Sequence, residues 1–174
     1  MAILFGYLLI TFAAQAYISI QVQNTLIDYG RTDIDISCRV NGTSIESIDI
    51  IQLKRSDANI VSISDDGVSW QDTELQTRSK INASIINILS SYLDVKVMAC
   101  DVNSTIDEGS YECAVLATGN ENPLIQRVSN IVNLNITGSS ERKQKKCALR
   151  SHAMFVKGSI FFFMKIALIR MISY

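Results

Sequence analysis

Histidine and proline are almost absent from this 174-residue chain, which has one of each. The histidine, His152, lies in the basic C-terminal tail, so a Ser-His-Asp or Cys-His catalytic arrangement has no scaffold in the predicted domain. The sequence also lacks C-x-x-C, H-E-x-x-H, G-x-G-x-x-G and P-loop strings, which excludes the common zinc and nucleotide sites. We therefore predict a protein that is not an enzyme, with no catalytic residues, no metal and no cofactor.

The first 138 residues are poor in basic side chains, and the residues after them are poor in acidic ones. Residues 1–138 have 8 lysines and arginines against 16 acids, whereas residues 139–174 have 8 against the single Glu141. An acidic module is thus joined to a basic tail. The negative charge of the module would repel a phosphate backbone, which argues against nucleic acid as a partner.

The first 16 residues have no charged side chain, and their apolar stretch precedes an A-x-A cleavage pattern, Ala14-Gln15-Ala16. We interpret residues 1–16 as a secretory signal peptide, with an uncleaved membrane anchor as the alternative. The mature chain would begin at Tyr17 and would be extracellular. In an oxidising compartment, the 4 cysteines are expected to form disulfides.

Between Tyr17 and Gly138, apolar residues alternate with polar ones in short runs separated by Asn, Asp, Gly and Ser. A period of two residues is typical of half-buried strands, and only residues 81–89 could pass for a helix by propensity. About eight or nine strands, spaced at ~8–12 residues, predict an all-β antiparallel sandwich with two apolar inner faces. Gly138-Ser139-Ser140 marks the end of this domain, which we place at residues 17–138.

Cys38 and Cys113 have the apolar parity of their predicted strands, so both sulfurs point into the space between the sheets. A bridge between them would stabilise the domain by about 4 kcal/mol in the chain-entropy model. Cys100 has the opposite parity to its apolar neighbours and is predicted to point outward, and Cys147 lies beyond the domain end. A Cys100–Cys147 bridge, an intermolecular bridge that gives a disulfide-linked dimer, and free thiols all stay open.

The sequence around the last of the domain cysteines is Asp107-Glu108-Gly109-Ser110-Tyr111-Glu112-Cys113. This D-x-G-x-Y-x-C string resembles the tyrosine corner of immunoglobulin domains, and the long spacing from Cys38 resembles their variable type. The resemblance covers about residues 17–138 and implies an immunoglobulin-like sandwich. It also implies that Gly109 permits a tight corner, that Tyr111 reaches back to upstream backbone, and that Arg78 pairs with Asp107.

The chain departs from this family at one core position. Members usually have a tryptophan about a dozen residues after the first cysteine, where this chain has Ile50 and Ile51, and Trp70 comes too late to replace it. More narrowly, the isoleucine-rich strands and the corner string are similar to the amino-terminal domains of molluscan fibrinogen-related proteins, which are secreted recognition proteins of innate defence. No fibrinogen-like domain fits into the 36 residues after Gly138, so this kinship would imply a truncated or alternatively processed form.

Four N-x-[ST] sequons predict N-linked glycosylation, at Asn41, Asn82, Asn103 and Asn135. Asn41 and Asn103 fall in predicted turns and are the better acceptors. Asn82 and Asn135 lie in strand-like runs, and their use depends on which face they occupy. The alternative is that a composition rich in Ser, Thr and Asn generates sequons by chance.

The tail, residues 139–174, has a basic segment at 142–146 and an apolar one at 153–174. The apolar segment is long enough to span a bilayer, but Lys165 near its centre costs about 2.5–3.5 kcal/mol on insertion scales. We predict a secreted protein with a poorly ordered tail. The alternative is a single-pass plasma-membrane receptor fragment anchored by residues 153–174.

Taken together, the sequence predicts a secreted recognition or adhesion module, in innate immunity if the narrower kinship holds. It would bind a protein or glycan ligand through loops and perform no chemistry. The predicted contact loops are residues 41–47 and 118–124, because loops on a pinned scaffold can vary without disturbing the core. Plain connection is the alternative for both loops, and a hydrolase is a distant third function after the membrane receptor.

Overall fold

The computed structural model describes residues 17–42, 45–87, 90–119, 124–138 and Cys147. Within these residues the chain forms eleven strands and one short helix. In chain order the elements are β1 (Tyr17–Val22), β2 (Leu26–Asp28), β3 (Ile34–Asn41), β4 (Ile45–Arg55), β5 (Ala58–Ser64), β6 (Gly67–Trp70), α1 (Thr73–Arg78), β7 (Ser79–Ser84), β8 (Tyr92–Val97), β9 (Gly109–Gly119), β10 (Ile125–Val128) and β11 (Val132–Thr137).

The strands form two sheets whose inner faces share one hydrophobic core. The smaller sheet has the order β1-β3-β8-β7 and is antiparallel throughout. The larger sheet has the order β2-β11-β9-β4-β5-β6, with β10 also paired to β9. The predicted all-β sandwich is confirmed, with one correction. Strand β2 runs parallel to β11, because the chain crosses from β1 to the edge of the other sheet without a hairpin.

The core is built by residues that alternate along the central strands of both sheets. Removal of these side chains from water is the main driving force for folding. The buried positions of this inner face are Ile34, Ile36, Cys38 and Val40 in β3, Leu93, Val95 and Val97 in β8, and Tyr111, Cys113, Val115 and Ala117 in β9. In β9 the intervening Ala114 is buried as well.

Strand β4 interrupts this alternation with a register shift between Ile48 and Ile50. The shift changes the parity of the strand, so Ile48 and Ile51 are both buried and Ile50 is half-buried. Ile51 has no exposed surface and is paired with Val115 of β9. Of the two isoleucines at the expected tryptophan position, Ile51 is therefore the one that fills the interior.

The sequence pattern does not reveal helix α1. The Asp72 carboxylate caps this helix by accepting a hydrogen bond of 2.8 Å from the Leu75 amide. Leu75 is the one buried residue of its 6 positions, so no apolar stripe is present in the sequence. Residues 81–89, which have the helical propensity, begin inside strand β7 instead.

Strand β8 ends at Val97, two residues before the predicted alternation does. Ala99 and Cys100 lie in a turn. The Ala99 amide donates to the Asp33 carboxylate at 2.9 Å, and the Ala99 carbonyl accepts from the Gly30 amide at 2.9 Å. These contacts replace the strand hydrogen bonds after Val97. The alternation from which Cys100 is predicted to point outward therefore stops before it reaches Cys100.

Candidate functional site

A disulfide joins the two sheets at the centre of the sandwich. Cys38 of β3 and Cys113 of β9 have their Cα atoms 5.8 Å apart, and neither residue has exposed surface. This is the pairing that the apolar parity of both strands predicts. The bridge therefore cross-links β3 and β9, two strands that lead into loops at the ends of the sandwich.

The corner that precedes Cys113 is organised around the buried carboxylate of Asp107, which has no exposed surface. Arg78 donates two hydrogen bonds to this carboxylate, at 2.5 and 2.6 Å, and the backbone amide of Asn103 donates a third at 2.8 Å. The Tyr111 hydroxyl donates to the Asp107 carbonyl at 2.9 Å. A buried carboxylate is costly unless it is paired and hydrogen-bonded, and here both conditions are met.

Gly109 allows this corner to pack closely against a neighbouring turn. Its φ is +149°, and a Cβ atom at this position would lie 3.3 Å from the Ser56 hydroxyl oxygen. The Ser56 amide donates to the Ser110 carbonyl at 2.8 Å, which holds the two segments together. A larger residue at position 109 would therefore push apart two hydrogen-bonded segments.

A second arginine, Arg55 of β4, extends the corner cluster. It donates to the Asp72 carboxylate at 2.7 Å, and another of its nitrogens lies 3.5 Å from the Asp107 carboxylate. Arg55 thereby links the corner to the N-terminus of α1. Sequence reasoning missed both Arg55 and Asp72, because no motif connects two residues that meet only through the fold.

The electrostatics of this corner cluster indicate a structural role. Burial lowers the pKa of Arg78, but the hydrogen bonds and negative charge of Asp107 outweigh that effect, so its pKa lies above the ordinary value. Burial raises the pKa of Tyr111 to about 12, so its phenol stays a hydrogen-bond donor well above neutral pH. The arginines and aspartates neutralise one another, so this cluster offers no group poised for acid–base chemistry.

A second disulfide joins Cys100, in the turn after β8, to Cys147, with Cα atoms 5.3 Å apart. Cys147 is buried, and its sulfur lies 3.2 Å from the position that a Cβ atom on Gly30 would occupy. Gly30 has a φ of +75°, so a side chain there would be strained as well as crowded. Of the alternatives left open by the sequence, the structure has the intramolecular bridge.

Replacing Cys147 with serine is expected to release a thiol at Cys100 without changing the oligomeric state. Under native conditions, iodoacetamide should modify Cys100 in this variant and no cysteine in the parent protein. Non-reducing peptide mapping of the parent protein should recover Cys100 linked to Cys147. A dimer in the parent that is lost in Cys147→Ser would contradict this expectation, because it would show that the tail cysteine joins two chains.

The two predicted contact loops leave the sandwich side by side. Ile45 of β4 pairs with Gly119 of β9, and Ser47 pairs with Thr118, so the described ends of both loops are neighbours. The Thr118 hydroxyl donates to the Asp49 carboxylate at 3.4 Å. Positions 43–44 and 120–123 lie outside the described residues.

A cleft of about 230 Å³ opens beside these loop ends, between the start of β4, the β5–β6 turn and the segment after β7. The carboxylates in its lining make a basic or polar group the complementary occupant. The sequence does not reveal this cleft, because its lining comes from separate segments. The lining includes the acidic residues Glu46, Asp49 and Asp65 and the apolar residues Ile48, Ile85 and Ile86.

The outer face of the smaller sheet carries several ion pairs. Arg39 donates to the Asp94 carboxylate at 2.5 and 3.1 Å, and its guanidinium lies 5.0 Å from the centre of the Tyr92 ring. The Lys96 ammonium lies 3.1 Å from the Asp33 carboxylate and 3.3 Å from that of Asp35. This face therefore presents ion pairs that already satisfy one another.

The middle of the larger sheet's outer face has a different character. Cross-strand pairing places Ile50 beside Leu116 and Gln52 beside Ala114. Ser62 and Ser64 of β5 continue these two rows. Among these described positions, the centre of the face is apolar with an uncharged polar border.

The asparagines of all four sequons lie in the described part of the chain. Asn41, Asn82 and Asn135 are exposed and point away from the core. The predicted turn at Asn41 is wrong: this asparagine is the last residue of β3 and pairs with Tyr17 of β1. Asn103 is half-buried: its amide nitrogen donates to Glu74 at 3.2 Å and its oxygen accepts from the Thr105 hydroxyl at 2.6 Å. The structure thus places the two strand sequons on outward faces, which the sequence left undecided.

Several predicted features lie outside the described residues. These are the signal peptide at 1–16, His152 and the apolar segment at 153–174. Among the residues that are described, no helix is long and apolar enough to cross a bilayer. The same residues contain no group of three or more His, Cys, Asp or Glu arranged to hold a metal ion.

Comparison with known proteins gives no assignment: no family model matches the chain, and no curated protein matches it significantly.

Proposed function

We propose that residues 17–138 form a variable-type immunoglobulin domain of a secreted recognition protein. Three features support this assignment: the buried bridge between the sheets, the Tyr111 hydroxyl on the Asp107 carbonyl, and the Arg78–Asp107 ion pair. Two intramolecular disulfides also support an oxidising compartment, and hence the signal peptide proposed at residues 1–16.

The proposed activity is recognition of a protein or glycan surface by the loop end of the domain. The observation that carries it is the pairing of Ile45 with Gly119, which brings the two loop bases together on β4 and β9. Because β9 also carries Cys113, both loops are held by the frame that the central disulfide fixes. Loops on a rigid scaffold are the usual location of binding residues.

The first experiment on this proposal determines the compartment. The full-length chain is expressed in animal cells with a secretory pathway, and both the medium and carbonate-washed membranes are assayed. We expect the protein in the medium with Tyr17 as its first residue. Carbonate-resistant recovery in the membranes would favour the receptor fragment anchored by residues 153–174.

A second experiment tests the binding surface. The purified protein is applied to an immobilised glycan panel and to whole cells with and without trypsin treatment. A double variant at the loop base, Glu46→Ala with Ser47→Ala, should bind about tenfold or more weakly, as expected for contact residues. The matched control is Lys80→Ala, an exposed change on the smaller sheet that should leave binding unchanged.

The thermal midpoint of each variant shows whether the domain is still folded. Equal binding by the loop-base variant and the parent protein would contradict the proposed surface. The glycan panel and the trypsin comparison together separate a glycan ligand from a protein ligand.

A further inference from the structure

We infer that Asn41 and Asn82 carry N-linked glycans that cover the outer face of the smaller sheet, leaving the middle of the larger sheet's outer face open for contact. This inference rests on the secretion proposed above.

Asn82 is the less obvious of the two sites, because it lies within strand β7. Its cross-strand partner is Asp94 of β8, which points outward and binds Arg39. The Asn82 side chain is exposed, and its oxygen accepts a hydrogen bond of 3.2 Å from the Tyr92 hydroxyl. Among the described residues, its amide nitrogen has no acceptor, so the atom that would carry the glycan faces solvent.

Asn41 stands on the same face, at the end of β3. It is exposed, and its amide nitrogen donates to the Tyr17 hydroxyl at 3.0 Å. Glycosylation replaces one of the two hydrogens on this nitrogen, so the remaining hydrogen can keep the bond to Tyr17. Attachment at Asn41 therefore needs no rearrangement of the strand.

The two attachment points flank the ion-paired region of the smaller sheet. Asn41 and Asn82 are separated by two strand spacings and by four residues along the strand direction, or about 17 Å. Arg39, Tyr92 and Asp94 lie between them. Glycans at both positions would cover these side chains from opposite corners.

Three of the sequon asparagines lie on an edge strand or pair with one. Strand β7 is an edge of the smaller sheet, and Asn41 pairs with Tyr17 of β1, the other edge strand. Asn135 of β11 pairs with Leu26 of β2, an edge of the larger sheet. An exposed edge strand is a template for association with another chain, and a bulky polar group beside it blocks that association.

The test begins with glycopeptide mapping of the protein secreted from animal cells. We expect attached glycan on the peptides that contain Asn41 and Asn82. Ser84→Ala removes the Asn82 sequon while keeping the asparagine and its bond to Tyr92, so this variant should lose one glycan mass. Asn133→Gln, an exposed strand residue outside any sequon, is the matched control and should leave the mass of the glycan unchanged.

Coverage of the face is measured by acylation of lysines in the native protein. Lys80 and Lys96 lie on the smaller sheet's outer face, and Lys54 lies on the larger sheet. In Ser84→Ala, labelling of Lys80 should rise several-fold over the parent protein, while labelling of Lys54 stays the same. Equal labelling of Lys80 in both proteins would overturn the covering role.

Two failures remain distinguishable in this design. A protein found inside the cell, with residues 1–16 retained and no glycan, would overturn the proposed secretion together with this inference. A protein that is secreted and begins at Tyr17, but whose Asn82 peptide is unmodified, would overturn only this inference. Folding of Ser84→Ala is checked by its thermal midpoint, which should match that of the parent protein without its glycans.

Discussion

Replacing Asp107 with alanine is expected to lower the free energy of unfolding by about 3–5 kcal/mol, the usual cost of removing one partner from a buried ion pair. Asp107 has no exposed surface and accepts hydrogen bonds from Arg78 and the Asn103 amide. Its removal leaves the guanidinium of Arg78, and one side of Arg55, without the carboxylate that compensates them. A domain of this size has only about 5–15 kcal/mol to lose.

Urea unfolding followed by circular dichroism measures this effect. The control is Asp101→Ala, an exposed acid in the same connection that should change stability by no more than about 0.5 kcal/mol. Asp107→Asn keeps the shape of the side chain and removes its charge, so its stability should lie between those of the parent protein and the alanine variant. An Asp107→Ala protein within about 1 kcal/mol of the parent would show that the pair is not structural.

Removing the central bridge by Cys38→Ala with Cys113→Ala is expected to cost about 4 kcal/mol, from the loop of 75 residues that the bridge closes. Both sulfurs are also fully buried, so their loss leaves space between β3 and β9. Alanine at both positions avoids a free thiol that could form other disulfides. The measurement is chemical unfolding of the oxidised protein beside the variant.

The second bridge is the internal control for this experiment. Its loop of 47 residues should give a chain-entropy contribution only about 0.4 kcal/mol smaller than that of the central bridge. The second double variant is Cys100→Ala with Cys147→Ala. If the losses in free energy of unfolding of the two double variants differ by more than this amount, the excess measures packing of the central bridge between the sheets. A difference of about 0.4 kcal/mol would instead mean that loop closure explains both losses, and that the central sulfurs contribute no more to packing than those of the second bridge.

Much of the core is predictable from the sequence because strand alternation is a local property. The parity of Ile34, Ile36 and Cys38 gives the inner face of β3, and the parity of Cys113 gives that of β9. Two inward cysteines on facing sheets then leave little choice of partner. The Arg78–Asp107 pair comes from the family resemblance and is present in the structure.

The features that the sequence does not reveal depend on contacts between distant segments. The register shift in β4, which turns Ile51 inward in place of Ile50, is visible only against β9. The end of β8 is decided by two hydrogen bonds of Ala99, whose amide donates to the Asp33 carboxylate and whose carbonyl accepts from the Gly30 amide. Arg55 joins the corner cluster because β4 passes beside it, and nothing in the neighbouring sequence marks that approach.

The Cys100–Cys147 bridge determines how a mechanical load would enter the domain. Cys147 is anchored beside Gly30, near the start of β3, whereas the contact loops lie beyond the other end of that strand, about 25 Å away. A force applied to the chain after Cys147 would pass through the sulfurs to Cys100 and bypass Thr137, so it would not peel β11 from β9 and β2 pair by pair. Tension would instead be borne by the segment between β8 and β9 and, through Cys113, by both sheets at once.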